Sequence, residues 1–227
     1  MGLQHIAIVP DGNRRWAQLH RIPDLEGHQA GADAMHRVVE QAIKSKLKYL
    51  TIWGFSSDNW KRDEAEVESL FQVLTQWLKK DAPWLNSEGV RLRYIGRFGE
   101  LPQYLKPAIQ RALALTLSNE GLTLTLAFNY SGRVEIIDAI HKWLSDATAP
   151  SYLDEAVFSH YLYTDGMPDV DLVIRTAGEF RLSNFLLWQT AYSEFYFTPV
   201  LWPDFKKSDF RKALSEFADR KRRFGGD

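Results

Sequence analysis

The stretch 5–17, HIAIVPDGNRRWA, joins a short apolar run to a carboxylate, a glycine, an asparagine and two arginines. Residues 6–9 are all apolar and mostly β-branched, which favours a strand buried on both faces rather than one with a solvated side. Pro10 lacks a backbone donor and is expected to end the strand. This stretch therefore predicts a sheet that is covered by other elements on both faces.

The polar half of the same stretch has the composition of an anion site. Gly12 and Asn13 allow the backbone to approach a ligand closely, and Arg14 and Arg15 supply guanidinium groups that bind phosphate. Asp11 supplies a carboxylate of the kind that holds Mg²⁺. Together they indicate metal-bound phosphate. A turn capped by Asp11, with solvated arginines, is the alternative that these residues alone leave open.

Composition limits the possible classes of protein. With 227 residues, 45% of them hydrophobic, the chain can form a single domain over residues 1–227. The 28 basic and 29 acidic residues nearly cancel, which argues against a nucleic-acid partner. The chain has no cysteine, no signal-like segment and no apolar run long enough to span a bilayer. We therefore expect a protein of a reducing compartment, the cytoplasm.

Strand and helix patterns alternate along the chain. Apolar runs predict further strands at residues 49–55, 90–95, 122–128, 171–174 and 194–198. Helical stripes predict helices at residues 27–45, 64–80, 105–117, 134–144 and 208–220, and a loop is expected after the first strand. Because parallel neighbours need long crossovers, the pattern predicts an α/β fold with a mostly parallel central sheet flanked by helices.

Polar clusters follow four of the predicted strands, at residues 11–16, 56–62, 129–133 and 175–184. The carboxyl ends of parallel strands lie at one edge of a sheet, where such folds bind ligands. Several of the clusters carry arginine, so a single crevice for an anionic ligand is expected there. The usual phosphate-loop, dinucleotide and nucleophile-elbow motifs are missing, which argues against nucleotide binding and triad hydrolysis.

Long motifs along nearly the whole chain resemble one known family. They are DGNRRW from Asp11, GHQAG from Gly27, FSSDNWKR from Phe55, NYSGR from Asn129, DLVIRTAGEFRLSNFLLWQ from Asp171 and SEFYFTPVLWPDF from Ser193. In this order they resemble the cis-prenyltransferase family, typified by undecaprenyl diphosphate synthase. The resemblance implies an α/β enzyme with an apolar tunnel between sheet and helices. It also implies a homodimer that condenses isopentenyl diphosphate onto an allylic diphosphate such as farnesyl diphosphate, with Mg²⁺ as cofactor.

The resemblance also implies a set of site residues. Asp11 and Asn59 match catalytic positions, and Asp11 and Glu194 match the carboxylates associated with the metal. A neutral amide is a poor base, so Asn59 is expected to orient a water or a diphosphate oxygen. The matched substrate-binding positions are Gly12, Asn13, Arg14, Arg15, Trp16, His28, Ser56, Ser57, Asp58, Trp60, Arg62, Arg175, Arg181, Leu182 and Ser183. Of these, Arg175, Arg181 and Ser183 match the isopentenyl diphosphate pocket.

Several positions carry separate expectations. Asp24 stands where many members have an arginine that helps to bind the allylic diphosphate, so either it points outward or the starter preference differs. Gly54 is expected to leave room for the growing chain, or for a closely packed helix. Residues 222–226 resemble a C-terminal segment that reaches the site near a dimer partner, and a frayed basic end is the alternative. Trp16 and Trp60 match binding positions but could equally pack their loops.

Two other functions compete with this interpretation. A non-catalytic accessory subunit would lose the catalytic loop, whereas Asp11, Asn59 and Arg62 are present here. A metal-dependent hydrolase would need water-admitting walls, whereas Leu70 and Phe128 are among the residues that predict an apolar lining. A long apolar product also suggests transient contact with a membrane, although no basic amphipathic helix is evident.

Overall fold

A computed structural model describes residues 2–220 and has a central sheet of six parallel strands. The strands are β1 (His5–Val9), β2 (Tyr49–Ser56), β3 (Arg91–Ile95), β4 (Thr123–Tyr130), β5 (Leu172–Arg175) and β6 (Glu194–Phe197). Their spatial order is β3-β4-β2-β1-β5-β6, and every neighbouring pair is parallel. The predicted α/β class and parallel sheet are confirmed. The sequence segment 222–226 lies outside the described residues.

Helices cover both faces of the sheet. They are α1 (Asn13–His20), α2 (Asp24–Lys44), α3 (Glu64–Ser87), α4 (Lys106–Leu115), α5 (Gly132–Ser145), α6 (Glu155–Ser159) and α7 (Lys207–Asp219). Along β1, Ile6 and Ile8 belong to one buried cluster, while Ala7 and Val9 belong to another. Because successive strand residues point to opposite faces, β1 is buried on both sides, as its composition predicts. Within residues 2–220, no helix is both long and apolar enough to cross a membrane.

Three helices differ from the sequence prediction, and one of them, the short α6 (Glu155–Ser159), lies where the sequence predicts no helix. The loop expected after β1 is wrong, because α1 begins at Asn13; only Ala17 of this helix is fully buried, so it has no apolar stripe that a pattern could detect. Helix α3 continues past the predicted end at Lys80, even though Pro83 lies inside it. Buried Ala82 and Leu85 keep that last part of α3 packed on the core, which compensates for the hydrogen bond that proline removes.

A bulge interrupts β2 at Gly54. The pairing of β2 with β4 shifts between Trp53 and Phe55, so the strand is irregular immediately before the polar cluster that follows it. A Cβ atom at Gly54 would lie 3.0 Å from Cδ2 of Phe128 and 3.4 Å from Cδ1 of Leu126. The nearest neighbours of Gly54 are therefore side chains of β4, not a closely packed helix.

Candidate active site

Of the four polar clusters predicted to form one crevice, residues 129–133 do not line it, and the other three meet at the carboxyl edge of the sheet. They line a cleft of about 490 Å³ that extends from this edge to the space between the sheet and helices α2 and α3. Thirteen of the predicted site residues line it: Asp11, Gly12, Asn13, Arg14, Arg15, His28, Ser56, Asp58, Asn59, Arg62, Arg175, Arg181 and Ser183. Its apolar part includes Met35, Leu70, Leu74, Trp77, Leu126 and Phe128. One cavity thus has a charged end and an apolar end.

The backbone of Asp11 is fixed by the neighbouring strand. Its N–H donates to Oγ1 of Thr176 over 2.8 Å, and the same hydroxyl donates to the Asp11 carbonyl, also over 2.8 Å. Gly12 follows with a φ of 108°, a conformation that favours glycine. A Cβ there would lie only 2.9 Å from Cδ2 of Leu201. Buried Thr176 and the absence of a side chain at residue 12 thus fix where the Asp11 carboxylate points.

The Asp11 carboxylate pairs with Arg175 at the end of the next strand. Nη2 of Arg175 lies 2.7 Å from Oδ2 of Asp11, and the arginine side chain is only 4% exposed. Its other terminal nitrogen donates to Oγ of Ser183 over 2.9 Å and to the carbonyl of Arg181. Nε of Arg175 is buried without a hydrogen-bond partner among the described residues. This guanidinium is therefore held in one orientation, with one donor unpaired.

Arg15 and Arg181 share a carboxylate beside this pair. Nη2 of Arg15 lies 3.1 Å from Oε1 of Glu179, and Oε2 of Glu179 accepts from Arg181. The hydrogen bond from Arg181 lowers the pKa of the Glu179 carboxyl. Arg15 also donates to the Ala177 carbonyl over 3.0 Å. We call Arg15, Arg175, Arg181, Ser183 and Glu179 the Arg175 group.

A second charged group lies on the helices at the cleft. Nε of Arg14 donates to Oδ2 of Asp24 over 2.9 Å, and its Nη1 lies 3.4 Å from Oε2 of Glu66. Nη1 of Arg62 lies 2.9 Å from the other oxygen of Glu66. We call these four residues the Arg14 group. Asp24 thus pairs with one of the predicted diphosphate-binding arginines, and of the two alternatives for this residue a side chain turned away from the site does not fit the pairing.

His28 and Asn13 contribute buried polar atoms to the cleft. Nε2 of His28 and Oδ1 of Asn13 have no hydrogen-bond partner within the part of the chain that the structure describes. Burial lowers the pKa of His28, although Glu66 opposes the shift. The imidazole is therefore neutral at neutral pH and offers a hydrogen bond rather than a positive charge. Unpaired buried polar atoms at a cleft are expected where a polar ligand completes the site.

The catalytic loop after β2 is a single turn of 3₁₀-helix, Ser57–Lys61. Oδ1 of Asn59 accepts from the backbone N–H of Ser56 over 2.9 Å, and Oγ of Ser56 accepts from the N–H of Asp58 over 3.1 Å. The oxygen of Asn59 is thus occupied, which leaves its amide NH₂ for a ligand. This arrangement fits a residue that orients an oxygen and does not fit a general base.

Some predicted binding residues lie outside the cleft lining, and their binding roles stay predictions. Nε1 of Trp16 donates to Oδ1 of Asp204, and Nε1 of Trp60 donates to Oδ1 of Asn129, over 3.0 and 2.8 Å. Both tryptophans therefore pack and anchor their segments. The lining described for the cleft omits Trp16, Ser57, Trp60, Leu182 and Glu194.

Glu194 lies at the start of β6, opposite Leu172, whereas Arg175 pairs with Phe197 at the other end of that strand. Its Oε2 accepts from Nη1 of Arg220 over 2.9 Å. Within one chain, Glu194 and Asp11 therefore occupy opposite edges of the sheet. Among residues 2–220, no three histidine, aspartate or glutamate side chains form a metal-binding group.

Sequence reasoning missed three residues that shape the cleft. Thr176 holds the Asp11 backbone, Glu66 joins Arg14 to Arg62, and Glu179 joins Arg15 to Arg181. Thr176 and Glu179 follow Arg175 within one motif. Their position in that motif could have identified them as site residues. Glu66 has the position of an ordinary first-turn acid, which the helix dipole explains by itself.

Comparison with known proteins shows which family the chain belongs to. The family model described as "Putative undecaprenyl diphosphate synthase" matches residues 9–225. The chain belongs to this family. The resemblance noted from the motifs is thus confirmed, and with it the prediction of a cis-prenyltransferase enzyme.

Relatives with curated names agree with the family model. The chain is 45% identical to an isoprenyl transferase of Thermotoga maritima over 225 residues, 98% of this chain and 97% of the relative. It is 44% identical to a farnesyl-diphosphate-specific ditrans,polycis-undecaprenyl-diphosphate synthase of Legionella pneumophila, covering 98% of this chain and 95% of that protein.

A solved structure of the same family has nearly the same backbone. It is lavandulyl diphosphate synthase from Lavandula x intermedia in complex with dimethylallyl diphosphate. The TM-score is 0.94 at 38% identity, and the alignment covers 98% of each chain. Members of the undecaprenyl diphosphate synthase family thus share this fold from end to end.

Proposed function

We propose that this protein condenses isopentenyl diphosphate onto an allylic diphosphate and forms a cis-polyprenyl diphosphate. The observation that carries the proposal is the single cleft with two chemically different ends. Its charged end contains Asp11 between two groups of arginines, and its apolar end lies between the sheet and helices α2 and α3. A prenyl diphosphate has the same division, with an anionic head and a hydrocarbon tail. An accessory subunit would have no need of the complete charged end.

The two arginine groups suit two diphosphates. We assign the allylic diphosphate to Arg14 and Arg62, with Gly12, Asn13 and His28, and the isopentenyl diphosphate to Arg175, Arg181 and Ser183. Arg15, which the family resemblance assigns to the allylic side, shares Glu179 with Arg181 and so connects the two sites. Bidentate guanidinium contacts are well suited to phosphate oxygens.

The residues present fit Mg²⁺. Asp11 is 38% exposed at the cleft, and one of its oxygens is bound by Arg175. A single protein carboxylate, completed by diphosphate oxygens and waters, is a usual way for proteins to hold this ion. Bound there, Mg²⁺ would neutralise charge on the departing diphosphate. Glu194 lies at the far edge of this chain's sheet, so any contribution to that metal would have to come from a partner copy.

The chain's own residues account for the other steps. Cleavage of the allylic C–O bond leaves a carbocation and a diphosphate, whose negative charge Arg14 and Arg62 stabilise. The double bond of isopentenyl diphosphate attacks this cation and forms the new C–C bond. A proton then leaves the isopentenyl C2 and passes to a diphosphate oxygen or water that the amide of Asn59 orients. The apolar lining around Leu70 and Phe128 keeps water from quenching the cation.

We also propose a homodimer that contacts membranes only transiently, when the product leaves. An aromatic patch beside β6 supports self-association. Phe180 is 76% exposed, its ring lies 5.2 Å from that of Phe197, and Phe195 stacks on Phe197 at 5.8 Å. Analytical ultracentrifugation of Phe180→Ser should show a shift toward monomer. An unchanged sedimentation coefficient would exclude this face.

The decisive experiment incubates the purified protein with isopentenyl diphosphate, Mg²⁺ and a starter. Farnesyl and dimethylallyl diphosphate serve as separate arms, since one relative is named as specific for the first and the lavandulyl diphosphate synthase structure holds the second. Mass spectrometry should show products that grow by five-carbon units, and chelation of the metal should abolish them. Release of free prenyl alcohol with inorganic phosphate or diphosphate, and no longer chains, would instead indicate a hydrolase. No turnover with either starter would favour an accessory subunit.

A further inference from the structure

The amino end of α5 lacks the usual local cap. Ser131 precedes this helix, but its side chain makes no capping hydrogen bond. Instead, Oγ of Ser131 accepts from the hydroxyl of Ser57 in the catalytic loop, over 2.9 Å. The first N–H groups of a helix have no partner within the helix and need acceptors from elsewhere. The cap for α5 must therefore come from another segment.

Asn184 supplies that cap from a distant part of the chain. Its backbone carbonyl accepts from the N–H of Gly132 over 2.7 Å, and its side-chain Oδ1 accepts from the N–H of Arg133 over 2.8 Å. A Cβ at Gly132 would lie 3.2 Å from the Asn184 oxygen and 2.9 Å from Cγ of Leu187. Only glycine permits the two segments to approach so closely. The contact therefore depends on the residue type at both positions, glycine at 132 and asparagine at 184.

The segment around Asn184 has an unusual backbone. Ser183, Asn184 and Leu186 have φ values of 53°, 70° and 44°, all in the left-handed region. Asparagine tolerates this region, whereas serine and leucine adopt it at an energetic cost. Such a conformation persists only where surrounding contacts enforce it. Phe185 and Leu186, both fully buried, anchor the segment on one side, and the α5 cap anchors it on the other.

This conformation determines where Ser183 points. Oγ of Ser183 accepts from Nη1 of Arg175 over 2.9 Å and from Nε of Arg181 over 3.2 Å. Both arginines line the cleft, as does Ser183, whereas Asn184 lies outside the lining described for residues 2–220. A change at residue 184 would therefore act on these cleft residues through Ser183 and the arginines that it orients.

We propose that Asn184 is a positioning residue for the isopentenyl diphosphate site. By capping α5 it holds Ser183 in its left-handed conformation, and Ser183 in turn fixes the Arg175 and Arg181 side chains for a diphosphate. The inference rests on the proposed function for its choice of substrate. The same cap connects this site to the catalytic loop, because Ser131 at the start of α5 accepts from Ser57.

Three substitutions separate the two properties of Asn184, which are its side-chain oxygen acceptor and its tolerance of the left-handed conformation. Asn184→Asp keeps an oxygen acceptor at the helix end, Asn184→Gly keeps only the left-handed freedom, and Asn184→Ala keeps neither. Asn119→Ala is the matched control. Asn119 is also half-buried, and its amide donates to the Val90 carbonyl at the other end of β3 and β4 from the cleft.

The KM for isopentenyl diphosphate is expected to rise in Asn184→Ala by up to about thirtyfold, the limit reached if the whole free energy of the lost cap is expressed in binding. The Asn184→Gly variant should show an intermediate rise, and Asn184→Asp should stay near wild type. The KM for the starter should change less than about twofold in all of them. Thermal melting should show that Asn119→Ala loses stability. Its KM values for the starter and for isopentenyl diphosphate should both stay at the wild-type level.

A lower melting temperature in Asn184→Ala with both KM values unchanged would overturn the proposal, and so would an equal rise in both. If the alanine variant does not fold, the glycine variant gives the same comparison. Calorimetric titration with isopentenyl diphosphate and with inorganic diphosphate measures binding without turnover. It therefore tests the positioning role of Asn184 independently of the proposed function. Weaker binding of both in Asn184→Ala supports the positioning role even if wild-type protein makes no polymer. Unaltered binding would overturn it.

Discussion

The Arg14 group and the Arg175 group flank the same aspartate but are held by different interactions. Arg14 is 49% exposed and Arg62 is 35% exposed, and the carboxylates of Asp24 and Glu66 are their recorded partners. Arg175 is 4% exposed and is held by Asp11, a serine hydroxyl and a backbone carbonyl. The first group is made of partly solvated ion pairs, whereas the second combines a buried cation in a fixed frame with the more exposed pairs that Arg15 and Arg181 form with Glu179.

This difference determines how each group responds to a ligand. Exposed ion pairs contribute about 0–1 kcal/mol, so a diphosphate can replace Asp24 as the partner of Arg14 at little cost. A buried guanidinium cannot turn away from its partners without leaving charge uncompensated. Arg175 is therefore oriented before the proposed isopentenyl diphosphate arrives, whereas Arg14 and Arg62, both partly exposed, can rearrange. An adjustable site suits the substrate whose hydrocarbon part changes with every condensation.

Removing Asp11 should damage both sides at once and has the largest expected effect. Asp11→Ala removes the proposed metal ligand and the carboxylate that orients Arg175. We expect turnover to fall by roughly 10³-fold or more, because charge on the leaving diphosphate is no longer neutralised. Steady-state kinetics with Mg²⁺ measures the loss, and circular dichroism checks that the variant is folded. Near-normal turnover in a folded variant would contradict the proposed mechanism.

Arg181→Ala tests the Arg175 side alone. Loss of a charge-assisted contact to phosphate should raise the KM for isopentenyl diphosphate by roughly tenfold to a hundredfold, with a smaller change for the starter. Arg181→Lys should not restore it, because an ammonium group lacks the planar pair of donors. Separate titrations of the two substrates make the measurement. If the starter alone is affected, the two diphosphate sites are assigned in reverse.

Asp24 tests the Arg14 side, where a smaller effect is expected. Asp24→Asn removes the carboxylate that competes for Arg14 and should tighten starter binding by up to about fivefold. Asp24→Arg should tighten it further and steepen its dependence on salt concentration. Starter affinity measured from low to high ionic strength gives both values. Binding that is unchanged across the salt series in both variants would show that the Arg14–Asp24 pair does not limit the starter site.

Gly54→Leu should leave both groups almost untouched and change only the product. Gly54 lines the cleft beside Phe128, and a leucine there would project toward the apolar end. We expect KM values close to wild type for both diphosphates and a shift to shorter chains in mass spectra. Gly54→Ala is the control, because it adds a Cβ without extending down the cleft. Products of unaltered length from a folded leucine variant would show that the chain does not grow past this position.

The sequence predicted what depends on local composition. The buried run of β1, the parallel class and the common edge of the polar clusters all follow from apolar runs that end in polar turns. Helix α1 escaped prediction because it buries only Ala17 fully. The pairing of Asp24 with Arg14 could not be predicted for another reason. An acidic residue at the start of a helix can face solvent, interact with the helix dipole or pair with an arginine, and the sequence does not distinguish these cases. Asn184 caps a helix 52 residues earlier in the chain, a pairing that only the tertiary fold creates.

Glu179 makes the two diphosphate sites thermodynamically linked. It is the common counter-ion of Arg15 and Arg181, so a diphosphate that draws Arg181 away leaves the full carboxylate charge on Arg15. We expect each substrate to lower the affinity of the other, and Glu179→Gln to reduce that antagonism. Thermodynamic linkage requires that each substrate change the dissociation constant of the other by the same factor. Calorimetric titrations in both orders of addition measure that factor. A single half-buried carboxylate would then make the occupancy of one subsite depend on the concentration of the other's ligand.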